Sequence, residues 1–354
     1  MYLLIRRTVS FARGGCFNVE MDCERNELMN ALDRRKNDLL AYNPSTTIEA
    51  EMLDRYWGEV LEQYSAKPLE VKREQVETMF PTVRAERLTY CGYDDTPIHC
   101  WLLLPQREQQ RDPLPCIVTY PGYTLDKGQP ERHAAWLQLG YAVLAVDVRG
   151  QGGETGSLLT QASGSVKGWV TQGITDIGSS YYLAVTMDAV RAVDAAAGQP
   201  EIDASRIAAV GGSQGGGLAL LAAALNTKVS AVVADIPNMC NLDYGMLHST
   251  GSLTELAAYV KRYPDQLNAV LDTLAYFDLL NLAERIAAPV LMSVGWKDTV
   301  CLPETVYAVF NRIRARKKIN DYPFSGHEIS EYQKSKAYEF IQTEFNFPRT
   351  SINA

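Results

Sequence analysis

Two hydrophobic periods divide this chain. Between residues 46 and 68 apolar positions recur at helical spacing, so that Ile48, Met52, Leu53, Tyr56, Val60 and Leu61 share one broad face. Thr46-x-x-Glu49 ahead of them reads as a capping box, and Pro68 ends the predicted helix. From about Val83 the pattern changes to short apolar runs bounded by turn residues. Glu86 to Tyr90 and Ile98 to Leu104 read as strands joined by a hairpin turn at Gly92-Tyr93-Asp94-Asp95. Strands and helices then alternate. Pro115 to Tyr120 is a strand, Arg132 to Leu139 a helix closed by Gly140, Tyr141 to Val148 a strand and Tyr181 to Ala197 a helix. Ile207 to Val210, Val229 to Asp235, Pro289 to Gly295 and Lys318 to Tyr322 complete the strands.

A hairpin followed by β-α alternation predicts an α/β fold with a doubly wound, mostly parallel sheet. Residues 1–80 are read as an N-terminal extension with the amphipathic helix, and 81–348 as the main domain. Residues 236–287 within it are mainly helical and read as an insertion forming a lid or pocket wall. The first 28 residues show no clear period.

One junction carries chemistry. Gly211-Gly212-Ser213-Gln214-Gly215 lies between the strand ending at Val210 and an apolar helix from Leu218 to Leu225. A G-x-S-x-G turn from strand to helix exposes a serine in strained backbone geometry, and its glycines keep side chains out of a crowded bend. Ser213 is the predicted nucleophile. Serine needs a base, and the base an orienting acid. Of four histidines, His99 falls in a strand, His133 in a helix and His248 in the insertion. His327 alone follows the last strand in a loop, Phe324-Ser325-Gly326-His327-Glu328, and is the predicted base. Asp298, after the strand ending at Gly295, is the predicted acid; Asp235, one strand earlier, is its competitor. The order Ser213, Asp298, His327 is that of the α/β-hydrolase fold. The oxyanion hole is expected from the N–H groups of Gln214 and Tyr123. Arg149 and Gln151, in a glycine-rich loop after a strand, are expected to hydrogen-bond neighbouring loops and hold the geometry. That loop lacks the spacing of a phosphate cradle, and His327-Glu328 is not completed to a zinc motif, since position 331 is glutamate. No metal and no cofactor are expected.

Composition narrows the partners. Of 354 residues 46% are hydrophobic and 21% charged, with a net charge of −8; these are the values of a globular chain with little attraction for nucleic acid or anionic membranes. Seven cysteines without a C-x-x-C suggest free thiols in a reducing compartment. The short N-terminal apolar run precedes its basic pair, the reverse of a secretory signal, and a cytoplasmic location is expected.

Three motifs together, Arg149-Gly150-Gln151, Gly211-Gly212-Ser213-Gln214-Gly215-Gly216 and His327-Glu328, are similar to those of a known family. Over roughly residues 45 to 345 the chain resembles the acetyl xylan esterases and cephalosporin-C deacetylases, carbohydrate esterase family seven. Asp188 to Val193 and Ser293-Val294-Gly295 with Asp298 support the resemblance. It implies serine-dependent removal of acetyl groups from small O-acetylated sugars and cephalosporin C, without metal, by a cytoplasmic hexamer with enclosed sites. It gives Ser213, Asp298 and His327 the triad roles, and Tyr123 and Gln214 the oxyanion hole. Pro121 departs from the residue that members often carry before Gly122-Tyr123. Acyl transfer to an alcohol, a short-chain carboxylesterase activity and non-catalytic ligand binding on the same fold are the alternatives.

Overall fold

The computed structural model describes residues 29–106, 112–161, 164 and 168–346. The aperiodic residues 1–28, with Cys16 and Cys23, lie outside them. Among the described residues nine strands form one sheet: β1 Lys72–Val76, β2 Val83–Cys91, β3 Pro97–Pro105, β4 Leu114–Tyr120, β5 Ala142–Val146, β6 Ile202–Gly212, β7 Val229–Asp235, β8 Val290–Gly295 and β9 Lys317–Tyr322. Their spatial order is β1-β2-β3-β5-β4-β6-β7-β8-β9. The pairings β1–β2, β2–β3 and β3–β5 are antiparallel, and the others parallel. The expected α/β-hydrolase architecture is the observed one.

The composition of the strands follows from burial on both faces. Every residue of β5 and β8 is buried, as a parallel strand covered by helices requires, and their sequences accordingly run apolar without alternation. On one face pack the helices Tyr181–Ala197, Gln214–Leu225 and Pro303–Arg312; on the other, Ala134–Gln138 and Glu331–Glu344. The helix Tyr181–Ala197 is buried nearly all round, which explains its lack of a polar stripe. The insertion after β7 is helical, with its longer segments at Leu242–His248, Leu253–Arg262 and Leu267–Ala275.

Several boundaries differ from expectation. The amphipathic helix spans Ala50–Ser65, and its cap residue Glu49 makes no side-chain capping bond. Residues 46–49 are drawn elsewhere: Thr47 exchanges hydrogen bonds with the Asn281 amide in the insertion, at 3.0 and 2.8 Å. A capping box exists one element earlier, where Asn30 and Asp33 cap each other's backbone at the start of helix Ala31–Ala41. The helix expected at Arg132–Leu139 is a 3-10 turn, Pro130–His133, followed by Ala134–Gln138. Strand β1 reads Lys-Arg-Glu-Gln-Val and has no apolar period to announce it. Ion pairs from Arg73 to Glu86 and Glu201 hold this edge strand instead.

The helices of residues 31–65 share the main core. Leu39, Leu53 and Trp57 belong to the cluster that includes β4, β6 and β8 side chains. The Trp57 indole N–H donates to the Tyr276 carbonyl at 3.0 Å, and its ring meets Phe277 edge-on. Arg191, on the buried helix, donates to the carbonyls of Tyr64, Lys67, Pro68 and Cys91, tying the segment before β1 to the sheet. Trp57→Ala should therefore lower the unfolding free energy of the whole chain by about 3–5 kcal/mol. Urea denaturation followed by far-UV dichroism checks this; an unchanged midpoint would mean that the helix is a detachable appendage.

Candidate active site

The end of β6 cannot continue as a strand. Ser213 has φ 57° and ψ −123°, a left-handed conformation that costs a residue with a Cβ on the order of 1–3 kcal/mol. The neighbouring glycines show why the turn tolerates nothing larger. A Cβ on Gly211 would lie 2.3 Å from the Gly215 carbonyl carbon, and one on Gly215 would lie 2.1 Å from the Tyr120 oxygen. The strain is held in place by hydrogen bonds. Ser213 N–H donates to the Asp235 carbonyl at 2.9 Å, and its own carbonyl accepts from Gly217 at 3.0 Å and Asn238 at 2.9 Å.

Two further loops reach this serine. After β8, Asp298 is buried with its side chain wholly inaccessible. Its Oδ1 accepts the N–H groups of Val300 and Cys301 at 2.8 and 2.9 Å, which anchor the side chain in its loop. Its Oδ2 lies 2.8 Å from His327 Nδ1, and His327 Nε2 lies 3.0 Å from Ser213 Oγ. With Nδ1–H given to the carboxylate, Nε2 is left to accept the serine proton. The structure thus brings together Ser213, His327 and Asp298 and leaves out the competitor. Asp235 Oδ1 accepts instead from Ser293 Oγ at 2.7 Å and Gln333 Nε2 at 2.6 Å. The other histidines are elsewhere: His99 faces Thr89 on β2, His133 is buried against the Lys127 carbonyl, and His248 lies tilted against the Tyr244 ring.

Gln214 opens the helix after the serine, so its N–H has no carbonyl one turn back to bond within the helix. The Tyr123 loop lies against the nucleophile: a Cβ on the adjacent Gly122 would sit 4.0 Å from Ser213 Cβ. Gln151 joins these parts. Its amide donates to Gln214 Oε1 at 2.8 Å and to the Tyr181 hydroxyl at 2.9 Å, and accepts the Thr124 N–H at 2.8 Å. Arg149 acts farther back. Fully buried, it forms two bonds to the Asp188 carboxylate, at 2.6 and 2.9 Å, and one to Asp94 at 2.9 Å, bracing the buried helix against the β2–β3 turn.

Other polar partners have no local sequence signal. Gln333, on the last helix, donates to Asp235 and accepts from Asn320 and the Tyr322 hydroxyl, linking β7 to β9. Lys127 is buried between Asp147 and Glu154. Such pairs are separated along the chain and meet only when the sheet assembles. In front of the serine lies a cavity of about 520 Å³ bounded by Ser213, His327, Leu125, Ile236, Ile329, Trp136 and Tyr338. Among the described residues no group of side chains has the makeup of a metal site, and no helix is long and apolar enough to cross a membrane.

The chain and its fold are similar to those of known proteins. The family model for acetyl xylan esterase (AXE1) matches residues 29–344. Acetyl esterase Axe7A of Xylanibacter ruminicola is 30% identical over 219 residues, 60% of this chain and 49% of that protein. The chain thus spans about half the length of that curated relative. Among solved structures, an acetyl xylan esterase from Paenibacillus sp. R4 superposes with a TM-score of 0.84 at 36% identity, covering 87% of this chain and 98% of that one. Acetyl xylan esterase 1 from Thermoanaerobacterium sp. JW/SL YS485 gives 0.82 at 27% identity, with the same coverage of 87% and 98%.

Burial pushes the Asp235 carboxyl up to about 6 from its ordinary 3.8. A raised folded-state value means that the native protein binds this proton more tightly than the unfolded chain does. The contribution to stability is present below pH 4 and lost as pH rises through about 6. Asp235→Asn removes that loss, so the variant should gain on the wild type, by on the order of 1–3 kcal/mol, between pH 4 and 7. Urea midpoints at both pH values test this; an equal difference at both would show that Asp235 does not titrate in that window.

Proposed function

The chain belongs to the acetyl xylan esterase family, and from that premise we propose that it is a serine esterase that removes acetyl groups from small O-acetylated substrates. The observation that carries the proposal is the unbroken hydrogen-bonded line from Asp298 through His327 to a serine held in a strained turn. Ser213 Oγ attacks the acetyl carbonyl while His327 Nε2 takes its proton, and Asp298 fixes the tautomer and stabilises the imidazolium. The oxyanion is received by the N–H groups of Gln214 and Tyr123, each worth on the order of a hundredfold in turnover. His327 then returns its proton to the leaving alcohol. A water molecule, deprotonated by the same imidazole, releases acetate from the acetyl-enzyme.

The cavity of about 520 Å³ suits a small alcohol, which supports acetylated xylose, short xylo-oligosaccharides and cephalosporin C as the substrate class, in line with the family. A cytoplasmic location fits the free thiols of Cys91, Cys100, Cys116, Cys240 and Cys301. Assembly as a hexamer follows the family resemblance; Met79, Leu247 and Phe324 are exposed apolar side chains that subunit contacts would cover.

Hydrolysis of 4-nitrophenyl acetate, butyrate and octanoate tests the proposal. Turnover should fall steeply from acetate to octanoate, and Ser213→Ala should lose at least about 10⁴-fold while melting like the wild type. A flat chain-length profile would remove the acetyl specificity, and an active Ser213→Ala protein would remove the mechanism.

A further inference from the structure

Tyr123 is gripped at both ends. Its hydroxyl donates to Glu255 Oε2 at 2.7 Å and accepts the Trp169 N–H at 3.1 Å. Its ring meets the Trp169 indole edge-on, with centroids 5.4 Å apart. On the backbone side, the next residue donates its N–H to Gln151 Oε1 at 2.8 Å, and Thr124 is itself left-handed, with φ 68°. Tyr123 is therefore held by its ring and hydroxyl on one side and by the following peptide on the other.

Glu255 comes from the helix Leu253–Arg262 of the insertion, 132 residues away in sequence. The fold makes room for it at one point. Gly168 has φ 70°, and a Cβ there would lie 1.7 Å from Glu255 Oε2; the carboxylate rests directly on that backbone. Burial and the adjacent carboxylate push the Tyr123 hydroxyl well above its ordinary titration range, so it stays a proton donor.

We propose that Glu255 is a positioning residue: through the Tyr123 hydroxyl it holds the oxyanion loop so that the Tyr123 N–H points at the developing negative charge. This rests on the esterase reading and on Tyr123 as the second oxyanion donor. The insertion is then part of the chemical machinery. Its effect falls on the transition state, because the oxyanion exists there and not in the bound ester.

The test is a double-mutant cycle with 4-nitrophenyl acetate, reading kcat and KM for wild type, Glu255→Leu, Tyr123→Phe and the double variant. Each single variant should lose ~10- to 100-fold in kcat with KM within about twofold. The double variant should lose no more than the more impaired single variant, since both remove the bond between Tyr123 and Glu255. Glu255→Gln, which keeps an acceptor, should fall between wild type and Glu255→Leu. Thermal melts accompany each protein; if Glu255→Leu does not fold, Glu255→Gln and Tyr123→Phe complete the same cycle. Losses that multiply, or a raised KM with unchanged kcat, would overturn the positioning role. Hydrolysis that does not depend on Ser213 would overturn the esterase reading itself.

Discussion

The left-handed turn at Ser213 is the constraint on which the rest of the molecule depends. A residue with a side chain sits where the backbone disfavours one, and three backbone hydrogen bonds keep it there. Two of those bonds come from β7 and the segment just beyond it, and the third from Gly217 in the helix that follows, so the turn depends on β6 and β7 holding their parallel register. The register in turn depends on small side chains. Ala208, Ala209, Ala231 and Ala234 are fully buried along the two strands; the helix that follows the serine packs over Ala209 and Ala234, while Ala208 and Ala231 face the opposite side of the sheet. Gly211 and Gly215 extend the same logic to the bend, where backbone touches backbone with no room between. A strained serine is thus the product of a tightly packed sheet centre, and relaxing that packing would release the strain.

Polar groups buried around this centre form two separate braces. One runs from Asp94 and Asp188 through Arg149 and fixes the glycine-rich loop that carries Gln151. Gln151 then binds both the residue after the nucleophile and the loop opposite it. The other runs from Asp235 through Gln333 to Asn320 and Tyr322, across the strand ends that launch the Asp298 and His327 loops. Both are hydrogen-bonded networks in a low-dielectric interior, where losing one partner strands another. The apolar core sets the fold, and these braces set distances within it.

Much of this was legible in the sequence, for reasons that differ by element. The helix Tyr181–Ala197 and strand β7 were read with the observed boundaries, since strong apolar runs between turn residues leave few alternatives. The elbow was legible because its glycines are demanded locally by backbone crowding. Asp298 and His327 followed from topology, as loops at strand C-terminal ends converge in an open parallel sheet. What was illegible is non-local. The polar edge strand β1 is held by ion pairs to distant residues, and Thr46-x-x-Glu49 lost its capping role to a contact between Thr47 and Asn281. Gln333 and Glu255 sit in ordinary helical sequence, and only the assembled fold places them beside Asp235 and Tyr123.

The central claim is that this turn turns one serine among many into a nucleophile. Peptide mapping by mass spectrometry after reaction with a fluorophosphonate tests it most directly. One stoichiometric phosphonyl adduct is expected, on the peptide that carries Ser213, and it should disappear when the protein is unfolded before the reagent is added. An adduct on any other residue, or an unmodified native protein, would contradict it.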